Sequence, residues 1–123
     1  MIAGVGVDLV DIARIEKIYS RYGEKFASRV LSPRELLESE GKPLSYLAGR
    51  FAAREACVKA LGVGFRGGID CQSMEILNDP GGKPAIKLLA KAREAAERLG
   101  AKRVHLSISH ERNFAVAMVI LES

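Results

Sequence analysis

The sequence predicts an α+β fold in which a mostly antiparallel sheet is packed by helices. Apolar, β-branched runs near both ends of the chain indicate strands, whereas the middle carries apolar residues at helical spacing. The predicted order is strand, three helices, one or two strands, helix and two strands. With 123 residues, of which 48% are hydrophobic, the chain is long enough to bury one core without disulfides. We therefore expect a single domain over residues 1–123.

The first element is a buried strand over residues 2–10, IAGVGVDLV. Because side chains alternate across a strand, Gly4, Gly6 and Asp8 share one face. Glycines on that face leave room for something to approach the backbone closely. Asp8 has two interpretations: a carboxylate that accepts backbone N–H bonds at the strand end, or a ligand for a hard cation such as Mg²⁺.

Asp11 is placed to cap a helix that runs through about Tyr22. Three basic residues of this helix, Arg14, Lys17 and Arg21, fall on the face opposite its apolar side chains. The default interpretation of such a stripe is a solvated charged face. The alternative is a surface that docks an acidic helical protein.

The sequence SPRE at residues 32–35 predicts a second helix start with a capping box. A long third helix is predicted from about Ser45 to Leu61, with Gly62 at its C-terminal cap and the loop GVGFRGG beyond it. Its apolar stripe consists of Leu44, Leu47, Phe51 and Val58. A second stripe consists of small residues, Ala48, Ala52, Ala56 and Ala60.

Glu55 and Lys59 lie one turn apart in the seam between these two stripes. One interpretation is an ordinary salt bridge on a helix, since an i,i+4 pair in this order stabilises a helix by about 0.2–0.5 kcal/mol. A seam is a poor place for so small a gain, because burying charges is costly. The other interpretation is that a metal or ligand completes a site there.

The last third of the chain predicts strands over residues 72–78 and 84–88, joined by the turn-rich NDPGGKP, and a helix over KLLAKAREAAERLG. The stretch VHLSISHERNFAVAMVILE then predicts two strands joined at about HERN, the last of them central. His105 and Ser109 share one strand face, and His110 lies at the turn. Such residues are typical of a polar outer face, and they also suit phosphate or ribose binding.

Composition limits the classes of function. There is no run of about 18 apolar residues, no basic segment with a cleavage site at the start, and Cys57 and Cys71 are isolated. We therefore expect no membrane span, no signal peptide, and free thiols in a reducing cytoplasm. The net charge of +4 suits an acidic partner or a phosphorylated ligand. The absence of Trp argues against nucleic-acid stacking.

Four stretches, in this order and spacing, carry a resemblance to a known family: GVGVDLVDIARI, FASRVLSPRE, RFAAREACVKALGVG and VHLSISHERNFAVAMVILE. They resemble the small, single-domain 4′-phosphopantetheinyl transferases, the holo-[acyl-carrier-protein] synthase family. The resemblance covers nearly the whole chain. It implies the 4′-phosphopantetheinyl transferase fold.

The resemblance also implies an activity. An enzyme of this family moves the phosphopantetheine arm of coenzyme A onto a serine of apo acyl carrier protein and releases adenosine 3′,5′-bisphosphate. The implied catalytic residues are Asp8, Glu55 and Lys59. Asp8 and Glu55 would bind Mg²⁺ together with the pyrophosphate, and Lys59 would stabilise the charge that develops there. The serine proton would go either to Glu55 or to a metal-bound water.

Further site residues follow from the same resemblance. The nucleotide, including its 3′-phosphate, would be surrounded by Arg50, Arg54, His105, Ser109 and His110. The acidic recognition helix of the carrier protein would meet Arg14, Lys17 and Arg21. The implied assembly is a homotrimer with active sites between subunits, and the alanine stripe would lie against a neighbouring element or subunit. Two alternatives without catalysis are a nucleotide-phosphate-binding module and a protein-interaction domain that works through the first helix.

Overall fold

The computed structural model describes all residues, 1–123. Its helices are α1 Ile12–Tyr22, α2 Glu24–Val30, α3 Pro33–Glu38, α4 Leu44–Leu61 and α5 Ala90–Arg98. Its strands are β1 Ile2–Asp11, β2 Met74–Asn78, β3 Pro84–Leu88, β4 Arg103–His110 and β5 Phe114–Glu122. No helix combines the length and apolarity that a membrane crossing requires.

The strands form a three-stranded antiparallel sheet in the order β1-β5-β4 and a separate antiparallel hairpin of β2 and β3. The predicted α+β class is confirmed, and β5 is the central strand as expected. One face of the large sheet packs against α4. The other face exposes apolar side chains, which include Val5, Val7, Leu9 and Met118.

The two glycines of β1 receive the helix α4. A Cβ atom on Gly6 would lie 1.9 Å from the carbonyl oxygen of Ala56, and one on Gly4 would lie 2.2 Å from that of Ala60. No side chain fits there, so the backbones of β1 and α4 are in direct contact. The alanine stripe thus packs against an element of its own chain, and the close approach expected at these glycines is that of the helix.

The helix caps predicted from the sequence are present in the structure. The Asp11 side chain accepts a hydrogen bond from the Ala13 amide at 2.9 Å and caps α1. Ser32 and Glu35 form the capping box of α3. Gly62 ends α4 with φ of 78°, a left-handed conformation that glycine adopts without strain.

Three elements differ from the prediction. The structure contains an additional helix, α2, which begins after Gly23 without a side-chain cap. The fifth helix begins at Ala90, because Lys87 and Leu88 pair with β2 as part of β3. Strand β2 begins at Met74, because residues 71–73 form a 3₁₀ turn capped by Asp70. Strand pairing thus decides the start of α5, a local cap decides the start of β2, and α2 has no capping side chain at its start.

Candidate active site

The end of β1 and the last turns of α4 bring Asp8 and Lys59 together. Lys59 Nζ donates to Asp8 Oδ1 at 2.9 Å and to the carbonyl oxygen of Val7 at 3.0 Å. The Asp8 side chain is 16% exposed, and that of Lys59 is 53% exposed. The ammonium group therefore faces solvent while it neutralises a largely buried carboxylate.

Glu55 shares this site but has no ion-pair partner of its own. Burial raises the pKa of the Glu55 carboxyl, and the nearby charge of Asp8 raises it further. Lys59 and Arg14 lower that pKa, but their effects are smaller. The helical Glu55–Lys59 ion pair that spacing suggests does not form, because the lysine finds two acceptors on β1 instead.

Asp8 and Glu55 suit a hard divalent cation. Both supply carboxylate oxygens, and Glu55 is an acid without a partnering cation beside a second acid. The chain holds no group of three or more side chains that could ligate a metal by themselves. Mg²⁺ commonly takes one or two protein carboxylates and completes its shell with substrate phosphates and water. The two residues therefore fit a magnesium site that the substrate completes.

Arg54 was expected to contact the nucleotide, but its side chain is buried inside the protein. Its side chain is 0% exposed and forms a two-pronged ion pair with the equally buried Glu35, with N–O distances of 2.5 and 2.9 Å. It also donates to the carbonyl oxygens of Cys71 and Met74. Arg54 thus ties α3, α4 and β2 together, and none of its atoms is available to a ligand.

Arg50 instead lines a pocket of about 220 Å³ between the first turns of α4 and the end of β4. The residue is only 7% exposed, and its guanidinium lies 4.3 Å from the centre of the Tyr46 ring. One guanidinium nitrogen donates to Asn78 Oδ1 at 3.2 Å, but the buried Nε has no partner. His110 and Lys42 also line this pocket. The pocket therefore concentrates positive charge and an unused donor, which suits an anion.

Sequence reasoning missed two residues of this pocket, Lys42 and Ser45. Both flank the start of α4, where free amide groups and the positive end of the helix dipole also attract anions. A basic residue and a hydroxyl on either side of a helix start are a signal that the sequence does contain. Only the fold, however, places them beside His110.

His105 and Ser109 lie on the outer face of the sheet, away from α4. His105 Nε2 lies 2.9 Å from Glu122 Oε1, and this hydrogen bond, with the charge of Arg103, lowers the pKa of Glu122. Asp8 lies on β1 at one edge of the sheet, whereas β4 forms the other edge. One chain alone therefore does not gather all the residues that were expected around the nucleotide.

The basic stripe of α1 remains open to solvent. Arg14, Lys17 and Arg21 are exposed, and none of them forms an ion pair. Beside them is a pocket of about 340 Å³ lined by Ile18, Tyr22, Lys25, Phe26 and Arg29. A basic surface with an apolar depression at its edge suits an acidic helix that carries an apolar side chain.

Comparison with known proteins gives consistent matches over the whole chain. Residues 4–119 match the 4′-phosphopantetheinyl transferase superfamily. A holo-[acyl-carrier-protein] synthase from Desulfovibrio desulfuricans is 49% identical, over 100% of this chain and 99% of the relative.

Two solved structures are also similar. The crystal structure of holo-[acyl-carrier-protein] synthase from Neisseria meningitidis has a TM-score of 0.90 and 42% identity, and each chain is covered completely. That of the Helicobacter pylori enzyme in complex with coenzyme A has a TM-score of 0.85 and 39% identity, over 96% of this chain and 99% of the other. The chain therefore belongs to the 4′-phosphopantetheinyl transferase superfamily, within the family of holo-[acyl-carrier-protein] synthases.

Proposed function

We propose that this protein transfers the 4′-phosphopantetheine group of coenzyme A to a serine of apo acyl carrier protein, with Mg²⁺ as cofactor. The observation that carries the proposal is the cluster of Asp8, Glu55 and Lys59 in a member of this family. The names of the relatives and the coenzyme A complex of the Helicobacter pylori enzyme support the two substrates.

In the proposed reaction the serine oxygen attacks the β-phosphorus of coenzyme A. The new bond is O–P, and the bond between that phosphorus and the bridging oxygen breaks, which releases adenosine 3′,5′-bisphosphate. Asp8 and Glu55 would hold Mg²⁺, which would withdraw charge from the phosphate oxygens when bound. Lys59 donates to the same oxygens. Glu55, which lies beside Asp8 at the site, is the group of this chain placed to accept the serine proton.

The nucleotide end is held by the pocket of Arg50, Lys42 and His110. The unpartnered Arg50 Nε and the positive lining suit the 3′-phosphate. This pocket lies towards the β4 edge of the sheet and Asp8 lies on the β1 edge, so a complete site needs both edges. An assembly that sets the β1 edge of one copy beside the β4 edge of the next would supply them.

A homotrimer with active sites between subunits meets this need. The exposed apolar face of the sheet, formed by Val5, Val7, Leu9 and Met118 among others, supports such an assembly, because a second copy would remove it from water. His105 and Ser109 lie on that same outer face. There they would come within reach of a site shared with a neighbouring copy.

The acceptor protein docks on α1 through Arg14, Lys17 and Arg21, with the apolar depression at Ile18 and Phe26 beside them. Arg14 already acts electrostatically on Glu55, so a protein bound to this helix is brought close to the reacting groups. We also place the enzyme in the cytoplasm. Cys57 and Cys71 are both free thiols, which is typical of a reducing compartment.

The test is intact-mass measurement of apo acyl carrier protein after incubation with the enzyme, coenzyme A and Mg²⁺. A gain of one phosphopantetheine supports the proposal, and Glu55→Gln should abolish that gain while the protein stays folded. Arg34→Gln, on the exposed surface of α3, is the matched control. Binding of coenzyme A by a folded protein without any gain of mass on the carrier would leave a nucleotide-binding module instead.

A further inference from the structure

One aromatic ring contacts two cations of the anion pocket, which is the pocket of about 220 Å³ lined by Lys42, Arg50 and His110. The Nζ atom of Lys42 lies 4.6 Å from the centre of the Tyr46 ring, and the guanidinium carbon of Arg50 lies 4.3 Å from it. The three residues are spaced four apart along the chain, and Tyr46 lines the pocket as well. Tyr46 is thus the residue that joins the two cations.

Both contacts have the geometry of cation–π interactions. A cation within about 6 Å of a ring centre is attracted by the negative face of the ring, and the attraction is stronger when the cation is shielded from water. Arg50 is only 7% exposed, so its contact with the ring is shielded in this way. Lys42 and Arg50 carry the same charge and repel each other. The ring therefore offsets part of the cost of holding both cations at one pocket.

Few other groups fix the guanidinium of Arg50. One of its nitrogens donates to Asn78 Oδ1 at 3.2 Å, and its buried Nε has no partner. No carboxylate forms an ion pair with it. The orientation of this guanidinium therefore depends on the Tyr46 ring and on a single hydrogen bond.

Lys42 has a competing location. It also lines a larger pocket of about 650 Å³, and the lining of that pocket includes the acids Glu24 and Glu40. Lys42 forms an ion pair with neither of them. Its ammonium group contacts the ring of Tyr46 instead, and that ring lines both pockets. Without the ring, the ammonium group would be free to turn towards the two acids and away from a bound anion.

The face of the ring, and not the hydroxyl group of Tyr46, accounts for these contacts. The hydroxyl is buried and has no hydrogen-bond partner. An aromatic ring without a hydroxyl presents the same negative face to a cation, whereas an aliphatic side chain has no such face. Phenylalanine should therefore replace Tyr46 without loss, and leucine should not.

We propose that Tyr46 is a positioning residue that sets the preference of this protein for a coenzyme A that carries the 3′-phosphate. The inference rests on the proposed function, in which the anion pocket holds that phosphate. A dianionic phosphate is bound most strongly by charged donors at fixed positions, and the ring fixes two of them. Tyr46 acts through Lys42 and Arg50, because its own hydroxyl is buried and offers no polar contact to a ligand.

The experiment compares two ligands that differ by this phosphate alone. Calorimetry gives the dissociation constants of coenzyme A and of 3′-dephospho-coenzyme A for the wild type, Tyr46→Phe and Tyr46→Leu. The preference is the second ligand's constant divided by the first ligand's. We expect it to fall about tenfold in Tyr46→Leu, which corresponds to about 1.4 kcal/mol, and to change less than about twofold in Tyr46→Phe. The loss should fall on coenzyme A, because the dephospho form lacks the group that the two cations bind.

Phe51→Leu is the matched control. It removes an aromatic ring from the same helix, where the ring packs against Phe26 with 6.4 Å between the ring centres, and Phe51 does not line the anion pocket. Its preference should equal that of the wild type. Equal weakening of both ligands in Tyr46→Leu, or no weakening of either, would overturn the inference. So would a tenfold fall in Tyr46→Phe, because the hydroxyl would then be the acting group.

A second measurement does not depend on the folding of Tyr46→Leu. Fluorine atoms added to the ring of Tyr46→Phe withdraw charge from its face and change its shape little, so they weaken cation–π contacts selectively. We expect the preference for the 3′-phosphate to fall stepwise as fluorines are added. A purely structural role of the ring predicts a constant preference across the series, and that result would overturn the inference.

Failure of this inference and failure of the proposed function give different results. If the wild type modifies the carrier protein and the preference survives in Tyr46→Leu, only the role of Tyr46 is wrong. If the wild type binds both ligands equally, the inference is wrong, and the transfer reaction is not affected. If the wild type binds coenzyme A and modifies no carrier protein, the transferase proposal is wrong, whatever the preference.

Discussion

Lys59 Nζ lies 2.9 Å from Asp8 Oδ1, so the lysine of α4 neutralises the carboxylate that β1 brings to the site. Glu55 on the same helix is left without a cation, and its pKa is raised by burial and by the charge of Asp8. A divalent cation would therefore meet one free carboxylate and one that is already paired. A bound metal ion would therefore compete with the lysine for Asp8.

This competition predicts opposite effects of Lys59→Met on binding and on rate. Removal of an exposed ion pair worth about 0.2–1 kcal/mol should strengthen Mg²⁺ binding by up to about fivefold. Transfer should slow by a factor of about 10²–10³, because a donor to the developing phosphate charge is lost. Calorimetric titration with Mg²⁺ and a transfer assay measure the two effects. Lys83→Met, in the turn between β2 and β3, serves as the control, and unchanged transfer in Lys59→Met would contradict the assignment.

Glu55→Gln should make the metal-free protein more stable at neutral pH. The folded-state pKa of Glu55 is raised, so between its ordinary value near 4.5 and the raised value the folded state binds more protons than the unfolded state. The wild type therefore loses stability as the pH rises through that window, and the loss persists above it. Glutamine carries no such penalty.

Thermal unfolding between pH 4 and pH 8 without Mg²⁺ measures this effect. We expect a higher Tm for Glu55→Gln at pH 8 and a difference that vanishes towards pH 4. Glu16→Gln, at an exposed position of α1, is the control. A variant that is less stable than the wild type throughout the range would refute the argument.

The buried ion pair of Arg54 and Glu35 should be structural. Arg54→Met alone leaves a buried carboxylate without its partner, which costs about 3–5 kcal/mol in the free energy of unfolding. The double variant Arg54→Met/Glu35→Leu should recover much of that loss, because two matched apolar groups replace two buried charges. Urea unfolding measures both.

The double variant also tests whether Arg54 contacts the nucleotide. Its affinity for coenzyme A should stay within about twofold of the wild type, since Arg54 has no exposed atom. Arg93→Met removes an exposed ion pair on α5 and should cost less than about 1 kcal/mol in stability. It is the control with which the loss in Arg54→Met is compared. A large loss of coenzyme A affinity in the folded double variant would restore the original expectation for Arg54.

Docking of the carrier protein on α1 should depend on salt. Arg14→Glu and Arg21→Glu should each raise the KM for the carrier protein and leave the affinity for adenosine 3′,5′-bisphosphate unchanged. The KM of the wild type should rise with ionic strength, because exposed charges are screened over about 8–10 Å near physiological salt. Steady-state transfer assays at two salt concentrations check this, and a KM that is independent of salt would rule the stripe out.

The sequence predicts best what is local. The caps at Asp11, Ser32 and Gly62 depend on neighbours within a few residues, so each could be predicted from its own stretch. The shared face of the glycines and Asp8 follows from the alternation of a strand. Helix α2 was missed because it is a seven-residue helix whose start has no capping side chain.

The contacts of the site residues that could not be predicted from the sequence involve distant partners. Arg54 pairs with Glu35, nineteen positions earlier, and no local sequence pattern predicts that contact. Lys59 forms its ion pair with Asp8 of β1, fifty-one residues away, and not with Glu55 on its own helix. Likewise, only the fold sets the start of α4 beside His110 and so reveals Lys42 and Ser45 as lining residues.

The contact between the glycines of β1 and the backbone of α4 sets a dimension of the site. Asp8 lies two residues beyond Gly6 on the same face of the strand, and Glu55 precedes Ala56, whose carbonyl faces Gly6. No side chain lies between the two elements at this point, so no change of rotamer can widen or narrow the gap between the two carboxylates' backbones. The strand and the helix therefore hold the backbones of the two acidic residues at one fixed separation, and only the side chains themselves can adjust the distance between the two carboxylates.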